Sequence, residues 1–169
     1  MDSFWKWLLH GSGSRAGFYN IVNSWIVFHC AIATVMTFSL SSDGFEFANL
    51  SLFPAASILV GMSLAWTTRA STLLQSEDLR NRLFAQDRPP EDYIYGYQLA
   101  ILVIVVMVAY TAVMAGGGFK FVVFGDPVDR LLSTFVMFCL MSLALRECWG
   151  VVNFTNLLSL LEYRRSSEK

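Results

Sequence analysis

The chain carries few residues able to ligate a metal or attack an electrophile: two histidines, His10 and His29, and three cysteines, Cys30, Cys139 and Cys148. Their spacing fits no metal-ligand pattern, because structural and catalytic sites draw ligands from closely spaced pairs. His29 and Cys30 are neighbours, so on a helix they diverge by ~100° and serve different faces. Packing is the expected role of both. No HExxH helix, GxSxG elbow or Gly-rich phosphate loop occurs. Asn49-Leu50-Ser51 and Asn153-Phe154-Thr155 have the form of glycosylation acceptors, but one is expected at the membrane surface and the other inside. Without convergent acid-base groups the chain reads as non-enzymatic, with no catalytic residue, no cofactor and no metal.

What remains is chemistry of recognition. On a helix begun at residue 17, Asn20, Asn23, Ser24, Thr34 and Thr37, with Cys30, Ala31 and Ser41, fall within about 140° of the circumference. In hydrocarbon such groups must find hydrogen bonds, so this stripe faces other helices or water. A packing seam is the expected outcome and a pore lining the alternative. Ser57, Gly61 and Ala65 recur every four residues and form a small-residue face suited to close helix approach. Arg146 and Glu147 interrupt a long apolar stretch. As neighbours they also diverge by ~100° and are not expected to pair. Arg69 is the first partner to consider for Glu147, while Arg146 can snorkel to phosphate.

These residues sit in an unusually apolar frame. Hydrophobic residues make up 55% of the 169 and charged ones 15%. That balance is too apolar for a soluble domain of this length and points to the bilayer. Residues 16–42, 47–68 and 93–119 hold no charge, and each exceeds the ~20 residues that cross the hydrocarbon core. Residues 131–145 and 148–161 are short singly and too long together. Topology decides between them. With four spans and both termini cytoplasmic, only Lys120 and Arg130 of the 12 Lys and Arg residues lie outside, which satisfies the positive-inside rule. A fifth span would carry Arg164, Arg165 and Lys169 out.

The expected fold is therefore an all-α integral membrane protein, a single four-span domain over 1–169 with N-in/C-in topology. Its spans are about 17–40, 50–69, 94–116 and 129–149. "FWKWLL" near the start predicts an interfacial helix over 3–10, with Asp2 and Ser3 as candidate caps. After Gly150, Val151, Phe154, Leu157, Leu158 and Leu161 share one arc opposite Thr155, Asn156, Ser159 and Glu162. That pattern predicts a separate amphipathic helix over 151–163. Asp43-Gly44 reads as a tight outer turn, and "AGGGFKFVVFGDP" as an interfacial loop rather than a selectivity element. Pro54 is tolerable if the regular second helix begins near it. Tyr93, Tyr95 and Tyr97 form an aromatic belt on the third span.

The second span continues as "WTTRASTLLQSEDLRNRLFA", uninterrupted by Gly or Pro until Pro89-Pro90, so a cytoplasmic extension is predicted before a loop over 70–92 closes. Arg69, Arg80, Arg82 and Arg88 are balanced there by Glu77, Asp78, Asp87, Glu91 and Asp92, which argues against direct nucleic-acid binding. Arg80, Arg82 and Arg88 are instead candidates for docking a cytoplasmic protein. The expected function is a homo-oligomeric sensor or anchor in a bacterial inner membrane or plasma membrane, one that recruits or regulates such a partner. Components of stress and antiviral defence systems have this form. The alternative is a homo-oligomeric ion-conducting pore around the first span. No internal repeat and no motif specific to one family is present.

Overall fold

A computed structural model describes residues 4–11, 17–39, 43–74, 90–118 and 125–167. All regular structure among them is helical, with no strand. Helix α1 covers Phe4–His10. A 3-10 turn over Gly17–Asn20 follows, and α2 covers Trp25–Ser39.

The first span is thus shorter than expected. In place of a helix over 17–40 there is one of 15 residues, about 22 Å at 1.5 Å per residue. Asn23 is the cause. Its side-chain oxygen accepts from the Trp25 N–H at 2.9 Å, and its amide donates to the Asn20 carbonyl at 3.2 Å. A short amide side chain that competes for backbone partners ends a helix more readily than it continues one.

The next helix begins earlier than expected. Gly44–Phe47 as α-helix, Ala48–Leu52 as π-helix and Phe53–Leu74 as α-helix run on without a gap and together form α3. Asp43 is its cap, accepting from the Phe45 N–H at 3.1 Å, so Asp43-Gly44 is a helix start rather than a free turn. Pro54 lies ten residues inside α3 but is the second residue of its regular α-helical stretch, Phe53–Leu74, as expected. A proline there leaves the carbonyl four residues back without its donor. The wide turn just before it shifts the ladder to five-residue steps, with the Phe53 N–H bonded to the Ala48 carbonyl.

Helix α4 covers Pro90–Ala115. The three glycines that follow are its stop: the Gly118 N–H returns to the Val113 carbonyl at 2.9 Å and the Gly117 N–H to Met114 at 3.0 Å. Gly117 and Gly118 have φ of 99° and 77°, which is the Schellman arrangement. Residues 119–124, the rest of that connection, lie outside the described residues, as do Asp2 and Ser3.

Helix α5 runs unbroken over Asp126–Ser167, 42 residues. The separate amphipathic helix expected over 151–163 is the continuation of this one. Gly150 costs helix stability but does not break the helix, because Val151 and Thr155 just beyond it are buried and tertiary packing outweighs local propensity. The buried face beyond it also differs from the expected arc: Val151, Thr155 and Leu158 are buried, whereas Leu157 is half exposed. Thr155 tolerates burial because its hydroxyl donates to the Val151 carbonyl at 2.8 Å.

Helix α5 is the hub, touching α2, α3 and α4, while α3 and α4 also pack together. Ala56 of α3, Val103, Ile104 and Met107 of α4, and Leu143 and Ala144 of α5 form one core cluster. Ala33, Ala48, Leu52, Met114, Met137 and Phe138 form the other, toward Asp43. Gly44–Trp66, Ile94–Ala115 and Asp126–Leu160 are each long and apolar enough to cross a membrane, whereas α2 falls short of that length. Much apolar surface stays uncovered, including Val27, Val35 and Phe38 on α2. Apolar surface of this extent is consistent with a membrane protein, whose outside faces lipid.

Candidate functional site

The Arg146 end of the bundle gathers most of the unusual polar contacts. α1 packs there: Trp7 is buried against Tyr95 of α4, ring centroids 5.6 Å apart, with Phe4 against the same tyrosine. Gly17 makes room for the indole, since a Cβ at that position would stand 2.6 Å from it. Aromatic side chains thus cluster at this level of the bundle.

At that level Arg146 and Glu147 do pair, contrary to expectation. The Arg146 Nε donates to Glu147 Oε1 at 3.0 Å, and Nη2 donates to the same oxygen. Their Cβ atoms diverge, but the arginine stem is long enough to curl its guanidinium back over the next residue. Nη2 also donates to the Asn20 backbone carbonyl at 2.9 Å, tying α5 to the end of the 3-10 turn. That carbonyl stands where the α2 ladder fails, so the guanidinium supplies a donor that the backbone does not. Both side chains are largely covered, 27% and 18% exposed, and Nη1 is buried without a partner among the described residues. Arg69, the expected partner of Glu147, is outside the residues whose side chains are described.

One turn deeper, His29 of α2 meets Ser142 of α5, Nδ1 to Oγ 2.8 Å, with His29 only 4% exposed. The ring packs and bonds between helices. Ser63 of α3 similarly meets Cys148 of α5 at 3.1 Å. No group of three His, Cys, Asp or Glu side chains able to hold a metal occurs among the described residues.

The polar stripe is not one face. Asn20, Asn23 and Ser24 precede α2, and the two threonines that remain on it are spent locally: Thr34 donates to the Cys30 carbonyl at 2.8 Å and Thr37 to Ala33 at 2.7 Å. Ser57, Gly61 and Ala65 are all exposed, and nothing lies within 4 Å of where a Gly61 Cβ would be. Within the chain α3 packs by the neighbouring face, through Leu52, Ala56 and Ser63. Arg80, Arg82 and Arg88 lie outside the described residues.

Three features had weaker signals in the sequence. Arg130 bonds Asp43 at 3.0 Å and lies over the Phe45 ring at 5.3 Å, closing the far end of the bundle. Gly44 and Gly118 are close approaches at that end, to Thr134 and Phe45. Gly96 of α4 and Gly150 of α5 line one pocket of about 190 Å³ with Tyr97, Ala100, Glu147, Val151 and Phe154. A glycine in each of two facing helices was the only hint of it.

No family model matches the chain, and no curated protein or solved structure is similar to it.

Proposed function

We propose that this chain is a non-enzymatic, self-associating membrane anchor that presents helical surfaces to a cytoplasmic protein, with four spans and both termini on the cytoplasmic side. The observation that carries the reading is the unbroken α5. From Glu147, at the level of the aromatic belt, to Ser167 it continues for roughly 30 Å. Along that reach Leu157, Leu160 and Tyr163 are 50%, 61% and 71% exposed. Apolar side chains on a helix that has left the hydrocarbon call for a partner. The α3 helix continues toward the same side as far as Leu74, and Arg80, Arg82 and Arg88 follow it in the sequence as the proposed docking residues. The uncovered Ser57, Gly61 and Ala65 face supports self-association, because it lets a second copy approach closely. In this topology the short α2 crosses with help from the 3-10 turn before it.

Two measurements test the reading. Reporter fusions at each terminus should both register the cytoplasm; a terminus on the far side refutes the topology. A protein captured by the intact chain should be lost when residues 72–88 are deleted, and again with Leu157→Ser and Leu160→Ser combined. Capture of the same proteins by both variants refutes the anchor function.

A further inference from the structure

The pocket between α4 and α5 is built as a notch. Gly96 and Gly150 stand on its two walls, and a Cβ added to either would meet nothing within 4 Å. Both glycines lie inside helices, where they cost stability and are not required by any positive φ. The space they leave is mostly apolar, closed by Ala100, Val151 and Phe154, and carries a single charged group, the Glu147 carboxylate. Both hydrogen bonds from Arg146 go to Oε1 of that carboxylate, and neither goes to Oε2. Tyr97 also lines the notch. Its hydroxyl is buried near Thr155, whose own proton is given to the Val151 carbonyl.

We infer that this notch binds the primary-amine headgroup of a membrane lipid, with Glu147 receiving its N–H donors and the glycine-walled space admitting the adjoining carbons. Position supports a lipid: Gly96 and Tyr97 directly follow Tyr95, which packs with Trp7 and Phe4 of α1, the helix expected at the interface. Hydrogen-bonding capacity selects the amine. Glu147 is already paired with Arg146 through Oε1, so the selection rests on Oε2, which takes no bond from Arg146 and favours a headgroup with hydrogens to donate. A choline headgroup offers no such hydrogen and presents three methyl groups to the same space. The site is independent of the proposed anchoring function, since it needs neither a second copy nor a cytoplasmic partner.

The test uses the full chain in neutral detergent with phosphatidylethanolamine and phosphatidylcholine added in equal amounts, retained lipid being read by native mass spectrometry. The intact protein should retain the ethanolamine lipid about threefold over the choline lipid, the ratio matching one hydrogen bond of typical strength inside a bilayer. Glu147→Gln should bring that ratio to one. Gly150→Leu should lower retention of the ethanolamine lipid by filling the notch, and Gly96→Leu should repeat this from the opposite wall. Both leucines enter helices at open positions, so they keep the test valid if Glu147→Gln fails to fold. Equal retention of the two lipids by the intact protein overturns the proposal. So does a leucine variant that leaves lipid retention unchanged, including one that only alters the number of chains per particle.

Discussion

Ser142→Ala should cost more stability than His29→Phe, although the two remove the same hydrogen bond. Ser142 and His29 are 9% and 4% exposed and bond at 2.8 Å, while the second ring nitrogen, Nε2, is already buried without a partner among the described residues. Replacing Ser142 by alanine leaves little cavity but strands both nitrogens of a buried imidazole. A buried polar group left unmade costs about 1–3 kcal/mol. Within a bilayer the measured coupling is smaller, averaging about 0.6 and reaching about 1.7 kcal/mol, because the unfolded helices find partners too. A loss of roughly 1–1.5 kcal/mol follows from those two bounds. His29→Phe keeps a ring in the site and removes both nitrogens at once. The Ser142 hydroxyl it leaves behind can turn to the carbonyl four residues back, as Thr34, Thr37, Ser57, Thr68, Thr155 and Ser159 all do. That change should cost under about 0.5 kcal/mol on the same scale. The double variant should be more stable than Ser142→Ala alone. Unfolding by SDS in mixed micelles, followed by circular dichroism, gives all three values. A neutral Ser142→Ala, or a double variant that merely sums the singles, refutes the role of the imidazole as a desolvated, half-satisfied group.

Other contacts give sharper or smaller effects. Gly44→Ala would put a methyl 2.3 Å from the Thr134 hydroxyl and 2.9 Å from its methyl group; the same unfolding assay should show a loss of about 1–3 kcal/mol, with Thr134→Ala restoring part of it. Gly118→Ala combines a φ of 77° with a contact 2.5 Å from the Phe45 ring, so its loss should exceed that of Gly117→Ala, which has the strain and no contact. Asp43→Asn breaks an ion pair whose side chains are 46% and 62% exposed, and about 0.2–1 kcal/mol, falling with added salt, is the expected change by the same assay. Gly61→Leu should leave unfolding unchanged, since its site is open, but should reduce the number of chains per particle in light scattering if copies meet on that face.

The apolar, helical class of the chain was legible because long charge-free runs determine it. So was the body of α4, where uniform hydropathy and a glycine stop mark the span and its C-terminal end, although the helix begins at Pro90, inside the loop expected over 70–92. Boundaries failed where a single side chain outweighed the average. Asn23 ends α2 by bonding its own backbone, and Asp43 starts α3 before the apolar run reaches full density. Gly150 failed in the opposite sense, its modest cost being outweighed by the packing of the residues just beyond it. The Arg146–Glu147 pair was missed because helical angles describe Cβ directions, whereas the reach of a guanidinium is set by its stem. His29–Ser142 joins positions 113 residues apart, and no local pattern encodes a contact that only the packing of α2 on α5 creates.

The π-helical turn over Ala48–Leu52 has a consequence for how α3 is keyed to its neighbours. A wide turn is equivalent to one residue inserted into a regular helix. It therefore sets the angular phase between the capped start, which meets Thr134 and Arg130, and the later face carrying Ala56 and Ser63. Deleting Asn49 or Leu50 would let the turn relax to ordinary α-helix and swing the start by about 100° about the axis. Asp43 could then face Arg130, or Ala56 could stay buried, but the two could not hold together. This small irregularity acts as a phase adjuster that allows one rod to satisfy both ends of the bundle at once.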